Sequence, residues 1–167
     1  MNKVVKIVLG LGGFVFGGYV RDLIANETPR DIDCHISTFK IMEFLRQLVE
    51  DFDEVTIVKM EKYGEEYYTN DFLRLIVSDG DNKIQVDVTG APLASPDFDV
   101  NMLKMDYAGI SLMASMLFRE PLSVESILSN ISRRRAVPLP TVTRRRIRKM
   151  EQKGWSVSFP EPSVIRY

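Results

Sequence analysis

The chain has 167 residues, 45% of them hydrophobic and 27% charged, with a formal net charge of −1. That is enough sequence for one ordinary globular domain with a small helical appendage. No apolar run reaches the roughly 18 residues of a membrane span, and the opening MNKVVKIVLGLGG lacks a small-residue cleavage site, so neither a span nor a secretory signal is expected. The single cysteine, Cys34, cannot close an internal disulfide, which fits a reducing, cytoplasmic setting.

The near-zero net charge hides an asymmetry. Residues 1–132 hold 12 of the 22 basic and 21 of the 23 acidic side chains, whereas the last 35 residues hold 10 basic and 2 acidic ones. Most of that basic charge sits in RRR at 133–135 and RRRIRK at 144–149. A basic tail on an acidic body suits a polyanion such as nucleic acid or a phosphate group, or pairing with the body's own acids.

In chain order, KVVKIVL at 3–9 is rich in β-branched residues and reads as a strand closed by glycine. After Gly17-Gly18, YVRDLIAN reads as a short helix. DIDCHIS alternates, with Ile32, Cys34 and Ile36 on one face and Asp31, Asp33 and His35 on the other. TFKIMEFLRQLVEDF has Ile41, Phe44, Leu45 and Leu48 at helical spacing, with Thr38 as its N-cap. EVTIVKM is a strand. DFLRLIVSDGDNKIQVDVTG reads as a hairpin about Asp79-Gly80-Asp81-Asn82. FDVNMLKM reads as a short helix and GISLMASMLF as a strand with its continuation. SVESILSNISRRRA is a helix capped by Ser123, and TVTRRRIRKMEQK is a last helix ended by Gly154. The order predicts an α+β domain, a mixed sheet with helices on one face.

The carboxylates carry the chemistry. Residues i and i+2 of a strand point the same way, so Asp31 and Asp33 present two negative groups with nothing basic between them. Such a pair favours a hard cation, and Mg²⁺ suits open oxygen ligands. Asp87, in KIQVDVTG, is expected to approach the same face from an antiparallel neighbour, with Asp99 its weaker rival. Three carboxylates about one or two metal ions suit phosphoryl transfer. A Gly-Gly turn opening a helix supplies N–H groups to a triphosphate. Taken singly, a D-x-D triplet also describes a solvated strand face, and Gly-Gly also describes a plain turn. Gly12-Gly13 reads as such a turn ahead of FVF. A dinucleotide fingerprint fails, because after Gly10 and Gly12 the next glycine position holds Val15. His35 stands either near the metal or as a hydrogen-bonded bystander, and Trp155 after Gly154 reads as a hydrophobic cap contact.

Together, GGYVRDLI followed by PRDID resembles the active-site opening of the tRNA nucleotidyltransferase (CCA-adding) and bacterial poly(A) polymerase family. Gly17, Gly18, Val20, Arg21, Asp22, Asp31 and Asp33 fall on its pattern. IQVDVTG stands in place of its third-carboxylate strand. PDFDVNMLKMD is similar to a family segment at Asp97, Phe98 and Asn101, and RRRIRKMEQKGW to the end of its Arg-rich helix at Arg145, Arg148 and Gly154. The resemblance implies a polymerase-β-like nucleotidyltransferase fold, with a catalytic head over residues 1–120 and a short basic helical neck over 121–167. It implies that Asp31 and Asp33 hold Mg²⁺ (Mn²⁺ as the alternative), with Asp87 as the third metal-binding and catalytic acid. Gly17, Gly18 and Arg21, with Asp97 and Asn101, would bind the nucleotide, and Arg145 and Arg148 would contact RNA or phosphate.

The chain departs from the family at two places. Ser95-Pro96 stands where the family has Arg-Arg, and PLPTV at 138–142 stands where a base-selecting Glu-Asp-x-x-Arg is expected. The expected activity is Mg²⁺-dependent transfer of a nucleoside monophosphate from an NTP to an acceptor hydroxyl, foremost an RNA 3′ end. The alternatives are a protein or small-molecule acceptor, or a catalytically silent head that binds nucleotide or RNA.

Overall fold

The computed structural model describes residues 2–60, 71–90, 97–113 and 122–159. The expected strand continuation at 114–118 and the Ser95-Pro96 departure lie outside the described residues.

The first element is a helix, α1 (Lys3–Gly10), not the expected strand. Asn2 caps it, its side-chain oxygen accepting from the Val4 N–H at 2.8 Å. Val4, Val5, Ile7, Val8 and Leu9 are buried while Lys3 and Lys6 face water. β-branched residues raise strand propensity only weakly, and burial of one apolar helix face overrides it here. Gly12, at φ +77°, and Gly13 then turn the chain into β1 (Phe14–Phe16). A Cβ on Gly13 would lie 2.4 Å from the His35 carbonyl oxygen, so only glycine fits there.

Helix α2 (Gly18–Ile24) leads to β2 (Asp31–His35), then α3 (Ile41–Asp51) and the edge strand β3 (Glu54–Met60). Thr38 does not cap α3. It opens a 3₁₀ turn over Thr38–Lys40, and Lys40 takes the cap position without a side-chain bond. The hairpin is as expected, with β4 (Asp71–Asp79) and β5 (Asn82–Thr89) about Gly80-Asp81. Of the short helix expected at 98–105, only a 3₁₀ turn at Asp99–Asn101 forms. The rest is β6 (Leu103–Asp106), which pairs with β1 on one side and β7 (Gly109–Leu112) on the other.

Helix α4 (Val124–Ser132) is capped by Ser123, whose Oγ accepts from the Ser126 N–H at 3.1 Å. It ends before the arginines. Arg134 takes φ +51°, and β8 (Arg135–Ala136) pairs in parallel with β9 (Ser156–Val157). Between them runs α5 (Arg144–Gln152), closed by Gly154 at φ +87°.

The seven-stranded sheet has the order β3-β4-β5-β2-β1-β6-β7, with β2 and β5 parallel and every other neighbour antiparallel. The fold is therefore α+β with a mixed sheet, as expected, and five α-helices among the described residues. One sheet face carries Leu73, Leu75, Val77, Val86, Val88, Ile32, Cys34 and Val15, all buried. These residues form one core with Val4, Val5 and Val8 of α1, Phe44 and Leu48 of α3, and Ile127, Ile131, Met150 and Trp155. Burying these apolar side chains at about 25 cal/mol per Å² is the main stabilising term.

Candidate active site

The other face of the sheet collects the polar residues. Register places Lys59, Arg74, Asp87, Asp33, Phe16, Lys104 and Ser111 in one row across all seven strands. Asp31, two residues before Asp33 on the same face, lies opposite Gln85, and His35 lies opposite Thr89. The sequence-derived faces of β2 are those observed, with Ile32 and Cys34 fully buried, Asp31 exposed and Asp33 half-buried.

Asp87 does reach the neighbourhood of Asp33, but from a parallel strand, not the antiparallel one expected. A parallel neighbour in register still puts both side chains on one face. Asp87 is 5% exposed and held on both oxygens. Arg74 Nε donates to Oδ1 at 2.6 Å and Nη2 to Oδ2 at 3.2 Å, with Gln85 Nε2 donating to Oδ2 at 2.9 Å. A two-pronged guanidinium–carboxylate contact is among the stronger charged hydrogen bonds. Arg74 was not singled out from the sequence, although the hairpin turn fixes it opposite Asp87.

A divalent cation fits Asp31 and Asp33, hard oxygen donors on one strand face at the protein surface. Asp87 does not fit as a further ligand while Arg74 and Gln85 hold it. Among the described residues no group of three or more His, Cys, Asp or Glu is gathered for a metal ion. His35 Nδ1–H donates to the Thr89 carbonyl at 3.0 Å, and the ring packs on Phe14 at 5.2 Å between centroids.

The Gly17-Gly18 turn stands beside the acids. Gly17 caps α2 at φ +68°, and a Cβ there would sit 3.8 Å from Asp33 Oδ2. The turn is anchored by the Gly17 N–H, which donates to the Leu103 carbonyl at 3.1 Å. Lys104, beside Phe16 in the row, has its Nζ 4.9 Å from the Phe14 ring centroid. The sequence does not single out Lys104, because FDVNMLKM reads as helix and leaves its strand face unassigned.

Arg21 is 2% exposed and engaged inside the protein. Its Nε donates to Asp22 Oδ1 at 2.7 Å and its Nη1 to Asn101 Oδ1 at 2.7 Å, and Trp155 stacks 5.3 Å away. Asn101 Nδ2 donates on to Asp97 Oδ1 at 3.1 Å, and Asp97 accepts from Arg146 Nε at 3.0 Å. Arg21, Asn101 and Asp97 are thus brought together with α5. Arg145 and Arg148 stand exposed on the same helix.

Asp99, the rival third acid, is 3% exposed and lies away from the row. Its Oδ1 accepts from the Val100 and Val137 N–H groups at 2.8 Å each, and its Oδ2 from Asn130 at 2.7 Å. Burial pushes its carboxyl above the ordinary range, opposed by these bonds. Burial, and then the charge of Arg21, hold the Lys153 ammonium below its ordinary value against the pull of Asp22 and Asp31. A hollow of about 220 Å³ lies elsewhere, lined by Gly12, Gly13, Asp106, Tyr107 and Ala108.

The fold class is one seen in CCA-adding enzymes. The chain superposes on a CCA-adding enzyme in apo form I with a TM-score of 0.57 and 13% identity, over 93% of this chain and 39% of that one. For the Thermotoga maritima CCA-adding enzyme complexed with tRNA the values are 0.54 and 15%, over 93% and 37%. For a CCA-adding enzyme with CTP they are 0.54 and 15%, over 87% and 36%. The chain spans well under half the length of these enzymes. No protein-family model and no curated protein matches it. Likeness at this identity establishes shared fold. No helix among the described residues is long and apolar enough to cross a membrane.

Proposed function

We propose that the protein is a divalent-metal-dependent nucleotidyltransferase head that transfers a nucleoside monophosphate from an NTP to an acceptor hydroxyl, foremost an RNA 3′ end. The observation that carries this reading is the placing of Gly17 against Asp33. A glycine turn that opens a helix thereby borders two carboxylates on one strand face.

In this reading Asp31 and Asp33 hold Mg²⁺ or Mn²⁺, which supplies charge neutralisation at the transferring phosphate when bound. The N–H groups at the start of α2 face the phosphate tail, and Lys104 adds a cation on the same side. Arg21 keeps α2 and the 3₁₀ turn at 99–101 in place, so its part in binding nucleotide is indirect. Asp97 and Asn101 extend that support to α5. Arg145 and Arg148, exposed on α5, offer guanidinium groups to an RNA backbone. The CCA-adding enzymes of like fold bind CTP and tRNA, which supports NTP and RNA as partners and tRNA processing as the setting.

The test is incubation with each α-labelled NTP and Mg²⁺ in the presence of total RNA, a protein extract and small hydroxyl acceptors in separate reactions. Label in RNA supports the reading. Label only in protein or small molecules moves the acceptor, and nucleotide binding without any product leaves a silent binding head.

A further inference from the structure

We propose that Arg74 is the resident counter-ion of Asp87 and takes the place of one divalent cation, so that the site holds a single metal ion on Asp31 and Asp33. The inference rests on the reading of Asp31 and Asp33 as the metal pair.

Asp87, Asp33 and Asp31 bring three negative charges to one sheet face. Arg74 is docked on Asp87 through the 2.6 and 3.2 Å contacts, and the divalent ion is assigned to the other two carboxylates. A second ion on Asp87 would have to displace a guanidinium that is already docked on both oxygens, with Gln85 adding a third donor at 2.9 Å. Asp87 is 7% exposed at its side chain, whereas Arg74 is 41% exposed. The acid is therefore enclosed and the base reaches it from the surface. Asp31 is exposed at the surface, whereas Asp87 is enclosed beneath Arg74. Asp87 becomes a positioning residue that holds β5 and β4 beside Asp33.

The experiment is a titration of the full chain with Mn²⁺ alone, following free Mn²⁺ by electron paramagnetic resonance, with far-UV circular dichroism as the folding control. Wild type binds one Mn²⁺. Asp31→Asn removes a direct ligand and weakens binding by about tenfold or more, whereas Asp87→Asn removes only a neighbouring charge and weakens it clearly less. Arg74→Gln releases the Asp87 oxygens and removes a nearby positive charge, so it tightens Mn²⁺ binding by about tenfold or adds a second site. If Arg74→Gln does not fold, the paired variant Arg74→Gln with Asp87→Asn removes the buried charge and restores single-site binding. Two Mn²⁺ ions in wild type, or equal losses for Asp87→Asn and Asp31→Asn, overturn the inference. A folded wild type that binds no Mn²⁺ overturns the metal-pair reading itself, and the inference falls with it.

Discussion

Arg21 donates to Asn101 at 2.7 Å across 80 positions of sequence, and this contact ties the glycine-turn helix to the turn that precedes β6. Both partners are at least nine-tenths buried. Because α2 and β6 flank the row of acids, the bond sets where Gly17 stands relative to Asp33.

Removing the acceptor should therefore be felt as stability before it is felt as chemistry. Asn101→Ala leaves a buried guanidinium short of a partner, with an expected cost of about 2–3 kcal/mol. At about 2–4 °C per kcal/mol for a chain of this size, the melting temperature should fall by roughly 4–12 °C. Thermal unfolding followed by circular dichroism checks this. An unchanged melting temperature would show that Arg21 has other adequate support.

Asp99 gives a prediction in pH. Its carboxyl is raised in the folded state by burial, so the folded protein holds the Asp99 proton more tightly than the unfolded chain. Its contribution to stability is then greatest below the unfolded value and declines as pH rises through the folded one. The wild type should gain relative to Asp99→Asn as pH falls from 7 towards about 4, which is near the unfolded carboxyl value. Urea unfolding of both proteins at several pH values measures the gap. A gap that narrows on acidification contradicts the sign.

Gly17 sits at φ +68° beside Asp33. At φ +68° and ψ −136° Gly17 adopts a backbone conformation that L side chains hardly enter, so Gly17→Ala costs about 1–3 kcal/mol. The added methyl also faces Asp33, so binding of a fluorescent NTP analogue in the presence of Mg²⁺ should weaken more than stability alone accounts for. Gly80→Ala, in the open hairpin turn at φ +62° with nothing within 4 Å of an added Cβ, is the control. It should share the stability loss and keep nucleotide binding.

Arg145 and Arg148 are exposed on α5. Replacing both by alanine should weaken RNA binding and reduce the dependence of log affinity on log salt by about 1–2. Nucleotide binding should not change. Filter binding at several salt concentrations reads the slope, and an unchanged slope removes these two residues from the RNA contact.

Much of the local structure around the acids was legible from the chain. The alternation in DIDCHIS assigned both faces of β2, and the turn at Gly80-Asp81 set the β4–β5 hairpin. Ser123 as a capping residue marked the start of α4. The failures share a cause, which is that local pattern does not report what packs on it. Val4, Val5, Ile7 and Val8 have strand-forming side chains, yet their helix is decided by the core they enter and by the Asn2 cap. FDVNMLKM at 98–105 reads as helix because its strand partner Phe16 is remote in sequence, although the β6–β7 hairpin about Tyr107-Ala108 is local. The Arg74–Asp87 pair was within reach, since a hairpin closed by Asp79 and Asn82 puts residue 74 opposite residue 87. The Arg21–Asn101–Asp97–Arg146 chain was not, because it joins three elements that no local spacing relates.

The central claim is that Asp31 and Asp33 carry metal-dependent nucleotide transfer. It is tested most directly by comparing wild type with Asp31→Ala in a transfer reaction with α-labelled NTP, Mg²⁺ and the best acceptor found. The account predicts that wild type moves label onto the acceptor. In Asp31→Ala, with its circular dichroism spectrum and melting unchanged, transfer should fall by about a thousandfold or more, as expected when transition-state charge stabilisation is lost. Equal transfer by the two proteins would contradict it.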